Sequence, residues 1–335
     1  MKRAIRSFGG YADAQLRRLQ NAIARDTLPQ SEREQHILKS VKNALDDFNR
    51  RYAGRETGSI RNYIDRSDNP ALDSGGLYDG VLCVRKRLSD KESVCMDISN
   101  YQAYISAETM MGPNSVRILA ELFDRYPLRL APEDLVLDLG CGTGLTSLVI
   151  AKETGARVYA NDLWISAEEN GKRFARWGVG DQITPVCEDA NDLHFEKKQF
   201  RALVSIDSYH YFAGSSGFFE EKLLPLLKDG GAVLIGIPGL KEEYAGRAKE
   251  LLSDWLGEDA YMFKSPGDWS ALIGGSDRID SVETWEMDCF REAWDDWLES
   301  DHKFALGDRK FYETVIQPYT CLVGISVTLK EIYGR

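Results

Sequence analysis

Three glycines at alternate positions, Gly140, Gly142 and Gly144, follow the apolar run Val136-Leu137-Asp138-Leu139. A turn without side chains lets a bound molecule lie against its backbone, and a helix-compatible segment begins directly after it. The next apolar run, Arg157-Val158-Tyr159-Ala160-Asn161, ends at Asp162. A carboxylate at that place faces the glycine turn and can bind the two hydroxyls of a ribose. These residues imply a nucleoside-containing ligand. A dinucleotide fingerprint would need its third glycine at position 145, where this chain has Leu145. The second chemical cluster is Ser208-Tyr209-His210-Tyr211-Phe212, after the run that ends at Asp207. An imidazole at His210 could take a proton from a hydroxyl or amine, an effect worth roughly 10²–10⁴ in rate. Tyr209 or Tyr211 could line the reaction path or present a ring to a cation.

The stretch from Asp138 to Gly144 resembles the D-x-G-x-G-x-G turn of class I S-adenosylmethionine (SAM)-dependent methyltransferases of the small-molecule type. Further landmarks of that family follow in order. Cys187-Glu188-Asp189-Ala190 is similar to its adenine-edge motif, Phe200 to Asp207 to its fourth strand, and Leu226-Leu227-Lys228-Asp229-Gly230-Gly231 to its turn into the fifth, with Asp229 in place of proline. The resemblance implies roles. Gly140, Cys141, Gly142 and Gly144 would let the methionine part of SAM approach the backbone, and Asp138 would orient its amino group, directly or through water. Asp162 would hold the ribose, Leu163 and Trp164 would pack on the adenine face, and Asp189 with Ala190 would read the adenine edge. Asp207 would support the methionine end. Tyr101 and Tyr104 are candidates for a lid over the cofactor, and Trp269 and Trp294 for an aromatic acceptor pocket, with His302, Asp308 and Arg309 at its rim. The implied reaction is in-line methyl transfer to a small molecule at O, N or C, with S-adenosylhomocysteine (SAH) as product and no metal. Two alternatives stay open: a nucleic-acid methyltransferase, and a non-catalytic SAM-sensing regulator that uses a basic helical N-terminus.

The elements that would position these residues alternate. Strands are expected near 134–139, 156–161, 182–187, 201–207 and 231–237, with helices near 144–153, 166–178 and 216–228. Such alternation implies a parallel sheet with helices on both faces. A helix is expected from Ser115 to Tyr126, with Pro113 in its first turn. Later segments suggest helices near 241–256, 267–273 and 290–304 and strands near 281–289 and 321–329. The resemblance makes the last two strands an antiparallel pair and completes a seven-stranded, mostly parallel Rossmann-like α/β sheet. Residues 96–335 would form this domain, with substrate-pocket elements in 240–318. Residues 1–95 would form a helical extension, with the stripe Ile37, Val41, Leu45, Phe48 and Tyr52 opened by a Ser31–Glu34 capping box.

Composition narrows the function classes. The chain has 335 residues and a formal net charge of −11. Residues 1–66 hold 14 Lys and Arg against 8 Asp and Glu, so the remainder carries 28 against 45, a balance of −17. An acidic domain argues against a long nucleic-acid track. No apolar run approaches a membrane span, and the N-terminus lacks the apolar core of a signal peptide. Six cysteines without C-x-x-C spacing suit reduced packing residues of a cytoplasmic protein. Cys141, Cys187 and Cys321 fall in or beside expected buried strands. A homodimer is a further expectation.

Overall fold

The computed structural model describes residues 96–331. The extension expected over 1–95 and its Ser31–Glu34 cap lie outside the described residues. Seven strands form one sheet: β1 (Leu135–Leu139), β2 (Arg157–Asn161), β3 (Ile183–Val186), β4 (Phe200–Ile206), β5 (Leu227–Leu240), β6 (Ile279–Glu286) and β7 (Thr320–Leu329). Their spatial order is β3-β2-β1-β4-β5-β7-β6. The first five are parallel, and β7 runs antiparallel between β5 and β6. This is the Rossmann-like sheet that the alternation of elements and the resemblance together implied.

The strands are apolar on both faces because both faces are covered. Val136 joins the core on one side, while Leu137 and Leu139 join the core on the other. Helix α1 (Ser115–Arg125) packs on the first side and buries Val116, Ile118, Leu119, Leu122 and Phe123. Its N-cap, Asn114, accepts from the Val116 N–H at 3.0 Å and donates to Asp296 at 2.6 Å. Arg117 reaches the same carboxylate, which ties α1 to α6 (Phe290–Glu299). Helix α2 (Leu145–Thr154) starts at Gly144 and stops at Gly155, both left-handed. Helix α3 (Ala167–Arg176) is capped by the Ser166 hydroxyl, which accepts from the Glu169 N–H at 3.2 Å. The remaining helices are α4 (Ala248–Leu256), α5 (Pro266–Ile273), α7 (Lys303–Asp308) and a single turn, α8 (Gln317–Tyr319).

Three expected helices differ. Residues 216–228 form a wide turn at Phe219–Leu223 and a tight one at Leu224–Leu226, and β5 already starts at Leu227. Gly217 at φ +87° and Pro225, which has no N–H to donate, prevent a regular helix. Helix α4 begins only at Ala248, behind the left-handed Gly246. The helix expected over 290–304 breaks at Ser300, where Arg309 donates to the carbonyls of Leu298 and Ser300 at 2.6 and 2.9 Å. Cys141 and Cys321 are buried as expected, but Cys187 is exposed, because β3 ends at Val186. Among the described residues no helix is long and apolar enough to cross a membrane.

Candidate functional site

The order of strands reverses between β1 and β4, and in open sheets of this kind the crevice beyond the strand ends at that point binds ligands. A cavity of about 310 Å³ lies there. Its floor is the glycine turn. Gly140, Gly142 and Gly144 have φ of +75°, +53° and +82°, a region that favours glycine. A Cβ at Gly140 would fall 1.7 Å from Ser208 Oγ, and one at Gly142 would fall 2.8 Å from Met111 Sδ. The turn is also hooked to the next strand. Gly140 and Cys141 N–H donate to the Asn161 carbonyl at 2.8 and 3.0 Å, and the Gly142 N–H donates to Asp162 Oδ2 at 2.8 Å.

Asp162 therefore stands at the end of β2, facing the turn, as its position in the sequence implied. Its Oδ1 accepts from the N–H groups of Trp164 and Ile165 at 2.8 and 2.9 Å. Three backbone donors thus fix the carboxylate, and Oδ2 keeps a lone pair for one further hydroxyl. Leu163 and Trp164 follow on the cavity wall and are open to solvent, Trp164 to 65%. Asp189 and Ala190 line the cavity too. Asp189 Oδ1 accepts from the Asn191 backbone and side chain, which holds its carboxyl below the usual range.

Asp138 does not reach the cavity, although the sequence placed it at the ligand. It is fully buried under the turn, where Oδ2 accepts from Thr146 Oγ1 at 2.7 Å and Ser147 Oγ at 2.6 Å. Burial, partly offset by those hydroxyls, raises its carboxyl to about 6. Its role is to anchor the first turn of α2.

The β4 side of the crevice needs more correction. Ile206 ends the strand, Asp207 turns the chain at φ +52°, and Tyr209–Tyr211 make a single tight helical turn. At three residues per turn, successive side chains point about 120° apart, so the three cannot share one face. Tyr211 faces the cavity and meets Trp164 edge-on at 5.3 Å. Tyr209 turns into the core against Phe212, Phe218 and Trp269. His210 is buried beside Phe263, with Nδ1 unpartnered, and burial lowers its imidazole to about 3. It lies outside the cavity lining, behind Tyr211, whose ring it meets at 4.1 Å, so the structure does not bring it to the cavity as the expected base. Asp207 does line the cavity and accepts no hydrogen bond from any described residue. Burial first, then the charge of Asp308, raises its carboxyl to about 8.

The expected lid and aromatic pocket also lie elsewhere. Tyr101 is buried and donates to Glu153 at 2.5 Å, and Tyr104 packs edge-on against Trp177. Both hold a 3-10 turn (Ile98–Tyr104) against the domain instead of covering the cavity. The wall comes from the segment just after it. Thr109, Met111, Gly112, Pro113 and Ser115 line the cavity, and Thr143 Oγ1 donates to the Thr109 carbonyl at 2.7 Å. The sequence signal for this wall was Met-Gly-Pro immediately before a helix cap. Trp269 and Trp294 are core residues, and the lining contains nothing from 240–318. Asp308 is clamped by the indole N–H groups of Trp255 and Trp297, each at 2.9 Å, and His302 caps α7 through Nδ1. No group of three or more potential metal ligands occurs among the described residues.

Residues 136–231 match a family model described as a methyltransferase domain. The matched stretch runs from β1 to the start of β5. The chain is 34% identical over 106 residues to sterol 24-C-methyltransferase of Eremothecium gossypii, covering 30% of this chain and 27% of that protein. It is 26% identical over 176 residues to sterol methyltransferase-like 2 of Botryococcus braunii, covering 51% and 42%. The chain thus spans less than half the length of these curated relatives. In fold it is similar to phosphoethanolamine N-methyltransferase 2 of Haemonchus contortus, solved with SAM, at a TM-score of 0.54 and 19% identity over 83% of this chain and 61% of that one. Geranyl diphosphate C-methyltransferase of Streptomyces coelicolor, solved with SAH, gives a TM-score of 0.50 and 17% identity over 62% and 74%.

Proposed function

We propose that the chain transfers a methyl group from SAM to a small-molecule acceptor at O, N or C. The observation that carries this reading is the glycine turn, bare of Cβ atoms, hooked through Gly142 to Asp162 and closely packed at Gly140 on Ser208, in a cavity that Asp207 also lines. The relatives support it, since the names of the sterol, geranyl diphosphate and phosphoethanolamine enzymes all denote methylation of small molecules.

The residues fit the cofactor part by part. Gly140, Cys141, Gly142 and Gly144 give the methionine part access to the backbone. Asp162 Oδ2 accepts from a ribose hydroxyl, Leu163 and Trp164 pack on the adenine, and Asp189 Oδ2 with the Ala190 N–H meets its edge. When bound, SAM supplies an electrophilic methyl group on a sulfonium sulfur. The chain's own contribution is positioning, which can remove roughly 7–11 kcal/mol of barrier. Leu139, Leu145, Ile206 and Phe212 keep the middle of the cavity apolar, and the Tyr211 ring borders the transfer path. A homodimer is part of this proposal, and sedimentation of the full chain tests it.

Calorimetric titration with SAM and SAH tests the cofactor, with Asp162→Ala as control. A hydrogen bond to a charged group contributes about 1.5–3 kcal/mol, so the variant should lose tenfold or more in affinity. Absence of SAH binding by the wild type overturns the reading.

A further inference from the structure

We infer that the acceptor is an amine, bound as its ammonium form against Asp207 in preference to an alcohol or a phosphate. This rests on the methyl-transfer reading above.

Asp162, Glu188, Asp189 and Asp207 line the cavity, and among the described residues its lining includes no Lys, Arg or His. With the cofactor over Asp162 and Asp189, a phosphate beside Asp207 would meet a carboxylate and no cation of that lining, whereas sites that hold phosphates do so with Arg, Lys or a row of free N–H groups. The glycine turn could be such a row, but the N–H groups of Gly140, Cys141, Gly142 and Gly144 already donate within the chain. Asp162, Glu188 and Asp189 are also partly satisfied, by Gly142, His194 and Asn191 respectively. Asp207 is not. It sits on the β4 side of the crevice at φ +52°, with its N–H donating to the Gly236 carbonyl at 2.7 Å. Its carboxyl lies against Gly112, where a Cβ would fall 2.1 Å from Oδ2, so residue 112 must be glycine for the carboxyl to stand where it does.

The charged surroundings deepen the preference. Asp308 on α7 bears on Asp207, and burial first, then Asp207, Asp259 and Asp308, push the Tyr211 hydroxyl away from ionisation. Among the described residues no salt bridge offsets Asp207. An ammonium provides the missing positive charge, and its remaining N–H groups have Ser208 and Tyr211 as neighbours on the lining. Three of the walls near this end, Pro113, Ile206 and Phe212, are apolar and suit the carbon body of the amine.

The transfer balances in two moves. Ionised Asp207 takes one proton from R–NH3+, leaving R–NH2 and a neutral carboxylic acid. The nitrogen lone pair then forms the N–CH3 bond as the S–CH3 bonding pair returns to sulfur, so R–NH2+–CH3 leaves with the positive charge that the sulfonium brought. The carboxylic acid returns its proton to water. A carboxyl whose ionisation is moved toward neutrality by its surroundings is suited to both directions of proton movement.

The test uses the full chain saturated with SAH and three probes of matched carbon skeleton: benzylamine, benzyl alcohol and benzyl phosphate. The expected result by calorimetry is millimolar or tighter binding of benzylamine, at least tenfold tighter than benzyl phosphate, with the preference gone in Asp207→Asn. SAH affinity of Asp207→Asn should stay within threefold of wild type. Equal or tighter binding of the alcohol or the phosphate overturns the inference, and so does binding of none of the three. A tenfold loss of SAH affinity in Asp207→Asn also overturns it, because the carboxylate would then serve the ammonium of the cofactor's methionine part. Failure of wild type to bind SAH at all is a different outcome: it removes the methyl-transfer reading itself. As a check against simple misfolding, Asp207→Glu keeps the charge and should retain part of the amine preference.

Discussion

Single residues at the crevice trade stability for a binding surface. Gly142 holds φ +53° with Met111 Sδ above it, so Gly142→Ala should cost about 1–2 kcal/mol of backbone strain and lower SAH affinity at least tenfold while the circular dichroism spectrum stays unchanged. Asp207 binds its proton more tightly in the folded chain, near 8, than in the unfolded chain, near 4. Its contribution to stability is full below about pH 4 and is lost as pH rises through 8. Asp207→Asn should therefore raise the melting temperature at pH 8 and change it little at pH 4. His210 has the opposite sign. Its folded value near 3 lies below the unfolded 6.5, so the unfolded chain binds more protons between those limits and stability falls as pH drops through that window. His210→Leu should flatten the acid limb of a denaturation-midpoint profile between pH 6 and 4. The sequence located Gly140, Asp162 and Asp189 because their types and spacing state their chemistry. It could not say that His210 points inward, because one tight turn sends three neighbours in three directions.

At the scale of elements, β1, β2 and β4 were legible because apolar runs of five to seven residues end abruptly, at the glycine turn after Leu139, at Asn161 and before Asp207. Helices next to left-handed glycines or Pro225 were less so, since a single breaker moves the boundary by several residues. The aromatic cluster of 255–297 misled for a physical reason: a core and an acceptor pocket are built from the same side chains. Trp269 shows the difference. It is wholly buried between Tyr209 and the β7 side of the sheet, and its ring lies 5.7 Å from Lys264 Nζ. Trp269→Ala should cost about 3–5 kcal/mol by chemical denaturation, as large core aromatics do, and leave SAH affinity per folded molecule unchanged. A change in affinity without a change in stability would return this tryptophan to the pocket.

For the whole molecule, the charge balance of −17 over residues 67–335 and a cavity lined by acids point the same way: positively charged small molecules are drawn in and polyanions are turned away. The field should weaken with salt, so any amine affinity should fall between 20 and 300 mM NaCl while SAH affinity changes less. The position of β7 bears on how the protein is made. This strand pairs with β5 through nine residues, Ala232 to Leu240, yet some eighty residues are synthesised between the end of β5 and its start. Until the ribosome has released Thr320–Leu329, β5 presents a long, apolar, unpaired edge, and β6 has no neighbour to join. The nascent chain is thus exposed to association with other chains over that interval. A stop codon at position 320 should yield protein that binds chaperones and pellets, even though every residue of the binding crevice has already been made.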